Sequence, residues 1–123
     1  MTRFASFLRR FPHLLKADRI EGYDIVGDVH GHADKLEGLL RKMGYVPHGR
    51  GYRPPVGRQL IFLGDLIDRG PQQLRVLEIA RSMMDEGDAR AVMGNHEFNA
   101  IGYVTRRVPD LARARYRCDG LGR

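Results

Sequence analysis

Three short clusters hold the side chains of this sequence best suited to polar chemistry: Gly27-Asp28-Val29-His30-Gly31, Gly64-Asp65-Leu66-Ile67-Asp68-Arg69-Gly70 and Gly94-Asn95-His96-Glu97. Each follows directly on an apolar run. Together they supply carboxylates, imidazoles, an amide and an arginine, the groups that a dinuclear metal site acting on a phosphate ester requires. No histidine follows His96.

Asp28 and His30 are two residues apart, so on an extended chain their side chains project to one side and could grip a divalent ion. The alternative is that the pair caps the next helix. In the second cluster, Asp65, Asp68 and Arg69 are either solvated loop charges or parts of a site. They come straight after Leu60-Ile61-Phe62-Leu63, near the buried end of a strand where unpaired charge is costly, and this favours a site. Arg69 would offer a planar fork to two phosphate oxygens. Asn95 is either an amide ligand or the N-cap of a helix, and taken alone the cap is the stronger reading. His32 and His48 read as solvent-facing and not as ligands.

The elements that must position these residues alternate between strand and helix. Residues 23–27 and 59–64 are apolar, β-branched runs that predict buried strands, and 89–94 predicts a third. Between the first two, Leu36, Leu39, Leu40 and Met43 recur at helical spacing with Gly44 as a stop. Residues 45–58, with three Gly and three Pro, predict a loop or hairpin-like excursion. A second helix starts with Pro71 in its first turn and carries Leu74, Leu77, Ala80, Met83 and Met84 on one side. A third runs from His96 to about Thr105. This order predicts an α/β layered fold of about three parallel strands with crossover helices. In open sheets of that kind ligands bind beyond the carboxyl ends of the strands, where all three clusters fall.

The flanks differ from this middle. Residues 1–19, a basic leader, carry five Arg or Lys against one acid, and the Arg-rich tail of residues 106–123 has no confident element. Residues 20–103 hold ten bases and twelve acids, so the formal charge of +6 comes from the ends and does not surround the candidate site. Nucleic acid is therefore a disfavoured partner. No stretch approaches the roughly 18 apolar residues of a membrane span. The leader lacks the unbroken apolar core of a secretory signal, although an organellar transit peptide has a similar composition. The one cysteine, Cys118, fits a reducing compartment, and a cytoplasmic location is expected.

The blocks GDVHG, GDLIDRG and GNHE resemble, in order, the signature of the calcineurin-like metallophosphoesterases, over roughly residues 23–103. The DRG element is similar to the branch holding phosphoprotein serine/threonine phosphatases and bacterial diadenosine tetraphosphatases. That resemblance implies the layered metallophosphoesterase fold, hydrolysis of phosphoesters and two divalent ions, Mn, Fe or Zn. It also implies that Asp28 and His30 bind the first ion, Asp65 bridges both and Asn95 binds the second. His96 would protonate the leaving group, oriented by Asp68, while Arg69 holds the phosphate. The substrate would be a phosphorylated protein or a nucleotide.

Complete members of the family have two further metal-binding histidines and usually a second phosphate arginine downstream, and nothing after Glu97 supplies those histidines. The expectation is an N-terminal half of the domain in residues 20–105, with an incomplete second metal site and weak or absent activity, open to association with a missing C-terminal half. The alternative is a non-catalytic phosphate-binding remnant or regulatory module.

Overall fold

The computed structural model describes residues 20–105, so the basic leader 1–19 and the tail 106–123 with Cys118 lie outside the described residues. In chain order the elements are β1 (Gly22–Val26), α1 (Ala33–Lys42), β2 (Val46–His48), β3 (Gly51–Arg53), β4 (Arg58–Phe62), α2 (Gln73–Asp85), β5 (Ala89–Ala91) and α3 (Asn95–Val104). β1, β4 and β5 form a parallel sheet in the order β1-β4-β5. The α/β architecture and its three parallel strands are as expected. Residues 45–58 resolve into an antiparallel hairpin, β2 against β3, whose two-residue turn is Gly49-Arg50.

Strand alternation sorts the side chains into two faces. On one, Val26, Leu60, Phe62 and Ala89 are buried, with Leu60 and Phe62 at 0% exposure. Leu36 and Leu40 of α1 and Val76, Ile79, Ala80 and Met83 of α2 complete that core, together with Tyr45 and Tyr52. On the other face Tyr23, Ile25, Leu63 and Val92 are at least half exposed. A parallel sheet normally has both faces covered; here, among the described residues, only one is. No helix among them is long and apolar enough to cross a membrane.

Three expectations need correction. The buried stripe of α2 is Val76, Ile79, Ala80 and Met83, while Leu74 is 79% exposed and Leu77 and Met84 are each 39% exposed. Both rows satisfy helical spacing, and only the docking of the helix on the strands chooses between them. Pro71 lies in the turn before α2, ahead of the N-cap Gln72. β5 stops at Ala91, although the N–H of Val92 still donates to the Phe62 carbonyl at 3.0 Å.

At the opposite end of the sheet from the clusters, a carboxylate on the core face of β1 is matched by two donors. Asp24 accepts from the guanidinium of Arg58 on β4 and from the Tyr45 hydroxyl, the latter at 2.8 Å. The Arg58 hydrogen bond, helped by Tyr45 and opposed by burial, holds the Asp24 carboxyl below its ordinary value of 3.8. Burial, then Asp24 itself, pushes the Tyr45 phenol up.

Two outcomes follow from this packing. Ile79→Ala should cost about 2–5 kcal/mol in urea unfolding, and Leu74→Ala less than about 0.5 kcal/mol; the reverse order would place α2 on the wrong face. Asp24 binds its proton less readily folded than unfolded. Its contribution is therefore present above pH 3.8 and is lost as pH falls from there through the lowered folded value. Asp24→Asn should flatten the acid limb of a stability-against-pH curve, and an unchanged limb would remove Asp24 from the account.

Candidate metal centre

The three clusters form three turns at the carboxyl ends of β1, β4 and β5, and the turn after β4 sits in the middle. Backbone hydrogen bonds lock it to the turn after β1: the His30 N–H donates to the Asp65 carbonyl (2.9 Å), Gly31 to Leu66 (2.8 Å) and Gly70 to His30 (2.7 Å). An apolar side chain pins each of these two turns to the core, Val29 between Asp28 and His30 and Leu66 beside Asp65. The approach is too close for side chains at the joints. A Cβ on Gly70 would stand 2.5 Å from the His30 carbonyl oxygen, and one on Gly94 2.5 Å from the Asp65 nitrogen.

Among the described residues five non-glycine ones have positive φ, and all are candidate site residues: Asp28 (52°), His30 (45°), Asp65 (53°), Asp68 (67°) and Arg69 (71°). Left-handed backbone costs an L-residue roughly 1–2 kcal/mol, and such strain gathers where function demands a geometry. The expectation that Asp28 and His30 lie on extended chain is therefore wrong. Nor do they cap α1, whose N-cap is the half-buried His32, without a side-chain cap bond.

His30, Asp65 and His96 each bring one ligand atom to within 4.8 Å of the others. His30 is buried, and its Nδ1 lies 3.0 Å from the Ile67 carbonyl. Nδ1–H donates there, which leaves Nε2 as the lone-pair atom facing the group. His96 is buried as well, with Nδ1 2.7 Å from Asp68 Oδ2, and its ring meets that of His30 edge-on at 4.8 Å. Asp65 Oδ1 accepts the His96 backbone N–H at 3.2 Å. One terminal atom of the Asn95 amide stands 3.2 Å from both carboxylate oxygens of Asp65, where the amide nitrogen would donate to them or the amide oxygen would share an ion with them. His30 and Asp65 offer a borderline-hard divalent ion an imidazole nitrogen and a carboxylate oxygen, and the Asp68-bound His96 ring stands beside them.

Asp28 and Arg69 stand apart. Both are exposed, and Asp28 is outside the convergent group. Asp28 lines a cleft of about 220 Å³ with Val29, His32, Lys35 and Leu39. Arg69 makes no hydrogen bond or ion pair among the described residues, which leaves its guanidinium open to an anion. His48 pairs with Arg53 on the hairpin, away from the turns.

Two residues were missed in the sequence. Glu97 accepts backbone N–H groups from Asp65 (2.7 Å), Leu66 (2.6 Å), Ile67 (3.3 Å) and Gly94 (2.9 Å). Burial alone would raise its carboxyl, but these donors hold it below the ordinary glutamate value. Gln73 accepts the Asp68 N–H at 2.8 Å and so secures the carboxylate that holds His96. The position of Glu97, three residues after the N-cap, was the available signal. That N-cap is Gly94, so Asn95 is the first helical residue and the cap reading for it fails.

A calcineurin-like phosphoesterase family model matches residues 23–120. The asymmetrical bis(5'-nucleosyl)-tetraphosphatase PrpE of Halalkalibacterium halodurans is 46% identical over 74 residues, 60% of this chain and 30% of that protein. The Bacillus subtilis protein of the same name is 39% identical over 74 residues, with the same coverage. A crystal structure provisionally named a diadenosine tetraphosphatase is 31% identical, with a TM-score of 0.50 over 73% of this chain and 33% of that one. A mutant cold-active protein tyrosine phosphatase is 26% identical, with a TM-score of 0.54 over 77% of this chain and 30% of that one. The chain spans about a third of the length of the relatives it matches. By the family match over residues 23–120, most of its length, this chain belongs to the calcineurin-like phosphoesterases.

Proposed function

We propose that this chain is the metal- and phosphate-binding part of a metal-dependent phosphoester hydrolase of the dinucleoside tetraphosphatase type. One observation carries the proposal: ligand atoms of His30, Asp65 and His96, from three separate strand ends, lie within 4.8 Å of one another. The names of the matched relatives, bis(5'-nucleosyl)-tetraphosphatases, favour a nucleotide substrate over a phosphoprotein.

Asp28 and His30 would hold a first divalent ion, Mn, Fe or Zn, with Asp65 shared between it and a second ion held by Asn95. Bound ions of this kind make water a nucleophile near neutral pH and offset charge on the phosphoryl oxygens. The chain's own residues do the rest. Arg69 offers two N–H groups in one plane to two phosphoryl oxygens, matching charge that grows in the transition state. Asp68 takes Nδ1–H of His96 and fixes the ring, so that Nε2 is the atom that delivers a proton to the departing oxygen. Residues 20–105 would then be the N-terminal half of a phosphoesterase domain acting in the cytoplasm.

A second reading, phosphate recognition without turnover, is favoured by Arg69, which is exposed and makes no hydrogen bond or ion pair among the described residues. Two measurements separate the readings. Calorimetric titration with Mn²⁺ should give saturable uptake, and Asp65→Asn should weaken it at least tenfold, because a charged carboxylate is exchanged for a neutral amide; uptake indifferent to Asp65 would refute the metal site. With diadenosine tetraphosphate and excess Mn²⁺, His96→Asn should slow release of mononucleotides about 10²–10⁴-fold while leaving Mn²⁺ affinity unchanged. Loss of Mn²⁺ affinity instead would make His96 a ligand, and binding of the nucleotide without hydrolysis by the unsubstituted chain would establish the second reading.

A further inference from the structure

We infer that Glu97 is the positioning residue of the metal centre: its carboxylate fixes the Asp65 turn against the His96 turn and thereby sets where the bridging carboxylate stands. The inference rests on the metal-site reading above and extends it to a residue that binds neither metal nor substrate.

The bland account of Glu97 is a helix cap. A glutamate at the third helical position commonly folds back to the N-cap N–H, and the bond to Gly94 at 2.9 Å is of that kind. The other three bonds are not. They run to Asp65, Leu66 and Ile67, residues 30 to 32 positions earlier in the chain and on a different strand end. Oε2 takes Asp65 and Gly94, and Oε1 takes Leu66 and Ile67. A carboxylate has about four acceptor sites; here backbone donors occupy all of them. Glu97 is thus spent on backbone, and it is absent from the convergent ligand group although it follows His96 directly.

Its contact with Asp65 matters because of the conformation there. Asp65 is left-handed, at φ 53°, and its N–H is received by Glu97, at 2.7 Å. The Asp65 carbonyl receives the His30 N–H, and its Oδ1 receives that of His96. Asp65 is therefore held by one bond from each neighbouring turn and by Glu97 from behind. Removing Glu97 frees the one residue that both metal positions would share.

Glu97→Gln tests this. The amide keeps one acceptor oxygen and turns an NH₂ group toward two N–H donors. Amide hydrogen exchange on the metal-free chain should speed up at Asp65, Leu66 and Gly94, and Mn²⁺ affinity should fall about 10–100-fold, the usual effect of removing a group that orients a ligand. The matched control is Glu37→Gln, a carboxylate that accepts from Tyr52, Arg75 and Arg41 near the hairpin, far from the turns. It should destabilise the fold without changing Mn²⁺ affinity. Unchanged affinity in Glu97→Gln, or an equal loss in Glu37→Gln, overturns the inference. If Glu97→Gln does not fold, exchange in the unsubstituted chain decides: Asp65 and Leu66 amides as fast as the unbonded Arg69 amide would overturn it, and protected ones support it. A parent chain that takes up no Mn²⁺ defeats the metal-site reading alone, and the exchange data then judge the holding of the turn by themselves.

Discussion

Everything at the candidate site depends on three strand-end turns approaching backbone to backbone. The turn after β4 touches both neighbours, and at each joint a missing side chain permits the contact, at Gly70 against His30 and at Gly94 against Asp65. Placing the middle turn on the middle strand follows from the sheet order β1-β4-β5. Only in that order can one carboxylate, Asp65, face an imidazole from each side.

The strain this creates is unevenly held. His30, Asp65 and Asp68 are left-handed, yet each has both its N–H and its carbonyl hydrogen bonded. A backbone hydrogen bond contributes a net of about 0.5–1.5 kcal/mol, comparable to what a left-handed residue costs, so these three are stably anchored. Asp28 and Arg69 are left-handed too, but neither has a backbone hydrogen bond among the described residues, and both are exposed. The centre therefore divides into a rigid group around Asp65 and two outlying side chains free to adjust to an ion or an anion. A firmly held carboxylate between two imidazoles, with an exposed arginine on the same turn, agrees with the metal- and phosphate-binding reading proposed above.

Much of this was legible from residue order. Apolar runs marked β1 and β4, glycine and acid patterns marked the turns, and the family signature followed from the three blocks. What was not legible has a common cause: it depended on contacts between segments distant in sequence. Leu74 and Val76 belong to apolar rows that both satisfy helical spacing, and only docking on the strands buries the second. Asp28 and His30 looked like an extended pair because their spacing is two, but both have positive φ, and at His30 the bonds exchanged with Asp65 and Gly70 of the β4 turn hold that conformation. Asn95 carries the side chain of a good cap, yet Gly94 holds that position because only glycine fits against Asp65. Glu97 offered a capping spacing and nothing more, since its three other partners lie on another strand.

The site and the core meet at the same strand ends, and this limits how independent they can be. Val29 and Leu66, the apolar residues inside the first two motifs, are buried at 8% and 6% exposure and belong to the same cluster as Leu60 and Phe62. Loosening that cluster would loosen the turns, which it holds through Val29, Leu66 and the partly buried Ile67. On the opposite sheet face, Ile25 at 63% and Leu63 at 52% exposure immediately precede the first two turns. A polypeptide covering that face would stiffen the strands just where they deliver His30 and Asp65.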